Sequence, residues 1–189
     1  MTHAESLDRG PQRPSLPAAG MVIWLGSEAM FFGGLFAAYF TLRANTRPWH
    51  PEGVELNAGQ AALFTLVLIA SSFTMHLAGR SGERGDYGGL VRWTAITVLL
   101  GALFLGNQAY EWSELAFTIS SHPFGSVFYL MTGFHGLHVL GGMAAMALLI
   151  ARVRMAGAAD HGSVEAISFY WHFVDVVWVG LFLVIFILR

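Results

Sequence analysis

Five stretches of this chain, at about residues 18–42, 58–78, 90–110, 125–151 and 167–188, are apolar almost throughout. A hydrocarbon core of about 30 Å takes roughly 20 helical residues at about 1.5 Å each, and every stretch is long enough to cross it. With 55% of its residues hydrophobic and only 12% charged, the chain has a membrane protein's composition. The expectation is an all-α, polytopic membrane protein. Five transmembrane helices form a bundle over 18–189, preceded by a disordered tail at 1–17. That tail has prolines and arginines but no basic start, short apolar core and cleavage site of a signal peptide.

Five crossings place the two termini on opposite sides, and the arginines choose between them. All ten basic residues are arginine. The tail (Arg9, Arg13), the second loop (Arg80, Arg84, with Arg92 just inside the next span) and the fourth loop (Arg152, Arg154) put seven on one side. Arg43, Arg47 and Arg189 leave three on the other. The positive-inside rule therefore predicts a cytoplasmic N-terminus and an outside C-terminus.

Against this apolar background a few polar residues stand out. His135 and His138 lie three apart in the fourth span, a spacing that puts both rings on one helix face. His172 and Asp175 repeat the spacing in the fifth span, Glu28 sits within the first beside Trp24, His76 ends the second, and Glu111 ends the third. Counted from the span ends at about 1.5 Å per residue, Glu28 is near mid-membrane. Such groups need partners inside the protein, because lipid offers none. The two histidine-bearing pairs could ligate zinc, iron or copper. They could equally hydrogen-bond neighbouring helices, and an HxxH pair alone lacks the intervening acid of a metalloprotease helix. Glu28 is a proton-relay group, a headgroup anchor, or a neutral acid that fixes packing. Gly33 with Ala37, and Gly34 with Ala38, give small-xxx-small spacing for close helix contact.

Other chemistries drop out. Cysteine is absent, which removes disulfides, cysteine-bound zinc, iron–sulfur clusters and thiol nucleophiles. The net charge of −2 gives nucleic acid nothing to bind. The glycine-rich stretch 79–89 lacks a Lys-Ser/Thr ending and reads as a tight turn. No inverted repeat or pair of broken helices suggests a transporter.

Five motifs, in order, carry a family resemblance: Trp24-Leu-Gly-Ser-Glu-Ala-Met-Phe-Phe32, Gln108-Ala-Tyr-Glu-Trp112, Gly125-Ser-Val-Phe-Tyr129, Thr132-Gly-Phe-His-Gly-Leu-His-Val139 and Tyr170-Trp-His-Phe-Val-Asp-Val-Val-Trp178. From about Ala19 onward the chain resembles subunit III of the haem-copper cytochrome c oxidases, and most of all the short actinobacterial aa3-type form. Better-known members have seven spans, and five here matches loss of the first two. The resemblance implies a chain with no catalytic residue, cofactor or metal of its own, haem a and copper residing in partner subunits. It implies direct contact with subunit I, further contact with subunit II, and bound phospholipids in a bacterial plasma membrane. A supercomplex with a cytochrome bc complex is a further implied partner. Under it His135, His138, His172 and Asp175 become helix-bridging groups, Glu28 matches a buried intramembrane glutamate near lipid sites, and His76 matches a region of loop-proximal histidines. The implied role is to support subunit I, its proton uptake and its lipid surroundings. A subunit III-like part of a quinol oxidase or nitric oxide reductase, and a free-standing membrane metalloprotein, are the alternatives.

Overall fold

The computed structural model describes residues 16–49 and 54–188, so most of the predicted tail (1–15) and Arg189 lie outside the described residues. Five helices account for nearly all of it: α1 (Leu16–Asn45), α2 (Ala58–Glu83), α3 (Tyr87–Glu114), α4 (Pro123–Ala156) and α5 (His161–Phe182), with a π-helical turn at Leu183–Ile187 completing α5. All five are long and apolar enough to cross a membrane. Helices α1 to α4 run on past the C-terminal end of their apolar stretches, and α5 begins six residues before its own, because polar residues continue the helix. Leu16 and Pro17 fall in the first turn of α1, where proline is tolerated.

The ends are set by caps that satisfy the free N–H groups of each first turn. The side chain of Asn57 accepts from the Gln60 N–H, that of Asp86 from Gly89, that of His122 from Gly125 and that of Asp160 from Ser163. Ser121-His122-Pro123, which reads in the sequence as a helix-ending signal, is a helix start: His122 caps and Pro123 occupies the first turn. Gly157 ends α4 in the left-handed conformation (φ 68°), its N–H donating to Val153 O, a geometry that favours glycine.

Helices α2, α3, α4 and α5 pack as a ring, each against the next and α5 back against α2, while α1 lies across α4 and α5. Trp171 on α5 is fully buried and joins three neighbours. Its ring fills the space over Gly101 on α3 and Gly142 on α4, where a Cβ would come within 2.9 and 2.8 Å of ring atoms. Its indole N–H donates to Ser71 Oγ on α2 (2.9 Å). About two turns further on, Trp178 donates to Thr65 Oγ1 (3.0 Å) and meets Phe104 edge-on. Tyr39 holds the far end of α1, its hydroxyl donating to Val184 O (3.1 Å) and accepting from the Trp49 indole (3.2 Å).

The small residues of α1 do not make the close contact their spacing suggests. Gly33, Gly34, Ala37 and Ala38 are exposed, and a Cβ at either glycine would meet nothing within 4 Å. Close approach is instead built at Gly101 and Gly142, where a large aromatic ring needs room.

Candidate functional site

Glu28 and His138 meet across the α1–α4 contact, with Glu28 Oε2 3.0 Å from His138 Nε2. The other ring nitrogen, Nδ1, lies 2.7 Å from the carbonyl oxygen of Phe134, one turn back on α4. A carbonyl can only accept, so Nδ1 carries a hydrogen. Nε2 therefore either accepts from a protonated Glu28 or donates, as imidazolium, to the carboxylate. In both states the pair holds one shared proton at the Nε2–Oε2 contact and is neutral overall, which is what a site within the apolar zone favours. Aromatic rings enclose it: Phe32 meets the imidazole edge-on at 5.0 Å, and Phe31 meets Phe134. Trp24 stacks on Tyr170 of α5 (5.5 Å, 10° between planes), and the Tyr170 hydroxyl donates to His138 O (2.8 Å). A shallow apolar recess of about 210 Å³, lined by Met21, Trp24, Gly141, Ala145, Ile167 and Tyr170, opens beside this group.

The second histidine points elsewhere. Residues three apart on a helix differ by about 60° in direction, and that divergence sends His138 to α1 and His135 into the ring of four helices. His135 is fully buried between Phe104 and Trp178, and neither ring nitrogen has a hydrogen-bond partner.

His172 and Asp175 converge on a residue that the sequence reading passed over. Ser72 of α2 donates its hydroxyl hydrogen to Asp175 Oδ2 and lies 2.9 Å from His172 Nδ1, from which it accepts. These are the residue types of a hydrolytic triad in the wrong order. A triad places the imidazole between serine and carboxylate so that it can take the hydroxyl proton; here serine is in the middle and its hydrogen is committed to the acid. The arrangement ties α2 to α5.

His76 lies one turn beyond Ser72, exposed, in a polar cleft of about 230 Å³ that also takes in Arg80, Glu83, His161 and Glu165. Glu111 stands near the far end of α3, its Oε1 buried without a partner, as are Gln108 Oε1 and Trp112 Nε1 nearby. Gln108 and Trp112 border an apolar groove of about 530 Å³ between α3 and α4. The eight residues picked from the sequence are thus divided among five places. Among the described residues no three His, Asp or Glu side chains come together as a metal site. His135, His138, His172 and Asp175 face three different surroundings and fit no common ion.

Comparison with known proteins settles the family. The family model described as cytochrome c oxidase subunit III matches residues 15–189. This chain belongs to the cytochrome c oxidase subunit III family. It is 51% identical over 182 residues to the probable cytochrome c oxidase subunit 3 of Mycobacterium leprae, covering 94% of this chain and 90% of that one. Cytochrome c oxidase subunit 3 of Corynebacterium diphtheriae is 42% identical over 185 residues, with the same coverage. That of Thermostichus vulcanus is 40% identical over 188 residues, covering 98% and 94%. The subunit III assignment therefore holds over nearly the whole length of both actinobacterial and other relatives, and it makes this chain part of a proton-pumping oxidoreductase complex.

Proposed function

We propose that this subunit III is a non-redox support for subunit I of an aa3-type cytochrome c oxidase in a bacterial plasma membrane. It flanks the subunit that holds haem a and copper, steadies proton uptake there, and keeps phospholipid in place at its own α1–α4–α5 surface. The N-terminus is cytoplasmic and the C-terminus outside. Subunit II and, in a supercomplex, a cytochrome bc complex are its further partners.

The observation that carries this reading is the Glu28–His138 pair and its setting. Helix α1 has few buried residues, so its position depends on a small number of strong contacts, of which this neutral, proton-sharing pair is the most polar. The recess beside Trp24 and Tyr170 is apolar and open, the shape and chemistry of a seat for an acyl chain. The expected role of this pair is to hold α1 and its lipid in place, so its loss acts on durability rather than on chemistry.

The test is Glu28→Ala in the assembled oxidase. Initial oxygen consumption stays near that of the parent enzyme, while the activity decays sooner under sustained turnover and less phospholipid copurifies. Immediate and complete loss of oxygen reduction in a fully assembled Glu28→Ala complex overturns the supporting role.

A further inference from the structure

One seam of the molecule is polar from its end to its middle, and the supporting role makes no use of it. On α2, Ser72, His76, Arg80 and Glu83 follow one another at intervals of three or four residues, and on α5 His161, Glu165, Ser168, His172 and Asp175 do the same. Such spacing keeps each set on one helix face, and the two helices pack together. The cleft at the α2–α3 loop end is lined from both sides, by His76, Arg80 and Glu83 and by His161, Glu165 and Ser168. One turn deeper lies the cluster in which Ser72 joins His172 and Asp175.

Burial rises steadily along this seam. His161, Glu83 and His76 are exposed, Ser168, His172 and Ser72 half-buried, and Asp175 only 6% exposed. Asp175 also keeps one carboxylate oxygen, Oδ1, buried and without a partner. Beyond it the seam is shut, because the next polar groups inward are the indole N–H groups of Trp171 and Trp178, committed to Ser71 and Thr65. From helix α3, Thr97 meets Thr74 of α2 (2.8 Å) and Thr94 is fully buried. Helix α4 brings His135, which lies behind Trp178. Glu28 and His138 meet α5 at Tyr170, about 200° around the helix from His172.

We propose that the α2–α5 seam is a blind proton inlet. Water enters the cleft at the α2–α3 loop end, and a proton delivered by hydronium is taken up at the inner cluster, on the Asp175 carboxylate, whose Oδ1 has no partner. It returns by the same route, since Trp171 and Trp178 close the way across. His76, one helical turn from Ser72 toward the cleft and on the same face, is the relay between cleft and cluster. A carboxyl with an unpartnered oxygen, reached by a line of exchangeable groups and separated from the far side by aromatic rings, stores a proton and does not conduct one through.

Infrared difference spectroscopy of the intact oxidase complex in lipid nanodiscs, recorded as the pH is lowered and after transfer to D₂O, tests this. The expected result is a carboxylic C=O band that appears on acidification, is lost in Asp175→Asn and shifts in Ser72→Ala. It takes up deuterium promptly in the parent and more slowly in His76→Leu. Because Asp175→Asn can impair assembly, the Ser72→Ala shift and the His76→Leu slowing are read in complexes shown to retain this subunit. A band that ignores deuterium, or exchanges equally fast with and without His76, overturns the inlet.

Discussion

His122 caps α4 with a ring nitrogen where an oxygen is usual, and that choice makes the cap sensitive to pH. Its Nδ1 accepts from the Gly125 N–H (2.8 Å), which requires Nδ1 to be unprotonated. Partial burial lowers its pKa below the ordinary 6.5. The unfolded chain therefore binds the proton first, and the cap's contribution is complete above 6.5 and lost as the pH falls through and below it. We expect the Gly125 amide to lose hydrogen-exchange protection on mild acidification, after correction for intrinsic rates, and His122→Asn to keep the cap while removing the response. The Asp160 cap responds in the same sense but at lower pH, because the hydrogen bonds from Ser163 hold its carboxyl below the usual carboxylate value. At this scale the sequence was legible in part. A carboxyl at Glu28 in an apolar run has to find a partner, but that His138 and not His135 supplies it depends on a 60° difference that spacing alone does not resolve. Ser72 was missed because a single serine in a membrane helix commonly bonds its own backbone, as Ser71 does to Leu68 O; its meaning comes only from what faces it.

Among the elements, α5 is the one on which the packing turns, and its large side chains dictate where glycine is needed. Gly142→Val drives a branched side chain into the Trp171 ring, and overpacking of this kind costs about 1–3 kcal/mol. Gly33→Ala meets nothing and removes a flexible residue from a helix interior, which is worth about 0.5–1 kcal/mol in the other direction. Thermal unfolding of the two variants in the same detergent should move the midpoint down for the first and unchanged or upward for the second; a matched pair of shifts would deny the difference in packing. Helix existence was plain from the apolar lengths, since nothing else satisfies the backbone in lipid so simply. Helix ends were less so, because capping residues such as His122 and Asn57 look like loop residues until the first turn beyond them is seen. Gly33 and Gly34 meet no other helix of this chain for a related reason: small residues permit close approach, but only a neighbour on that side uses it.

For the molecule as a whole, the fold class follows from composition and length, whereas the packing order does not. That α1 lies across α4 and α5, and not beside α2, is set by Glu28–His138, Trp24–Tyr170 and Tyr39–Val184, all contacts between residues far apart in sequence. The absence of native cysteine makes the proposed orientation directly checkable. A thiol placed at Arg154 should react with a membrane-impermeant reagent only in inverted vesicles, and one at Glu114 only in intact cells; the reverse pattern would turn the bundle over. At the last turn of α5, the Leu188 N–H reaches back to Leu183 O (2.8 Å), one residue further than an α-helix allows, and Val184, Ile185 and Phe186 are all buried in succession. That widened turn acts as a spare residue in the coding of the chain. Deleting a single codon within it would let the chain close as an ordinary helix with the residues after it kept near their present direction, so the shortest possible heritable change here is absorbed locally rather than passed on.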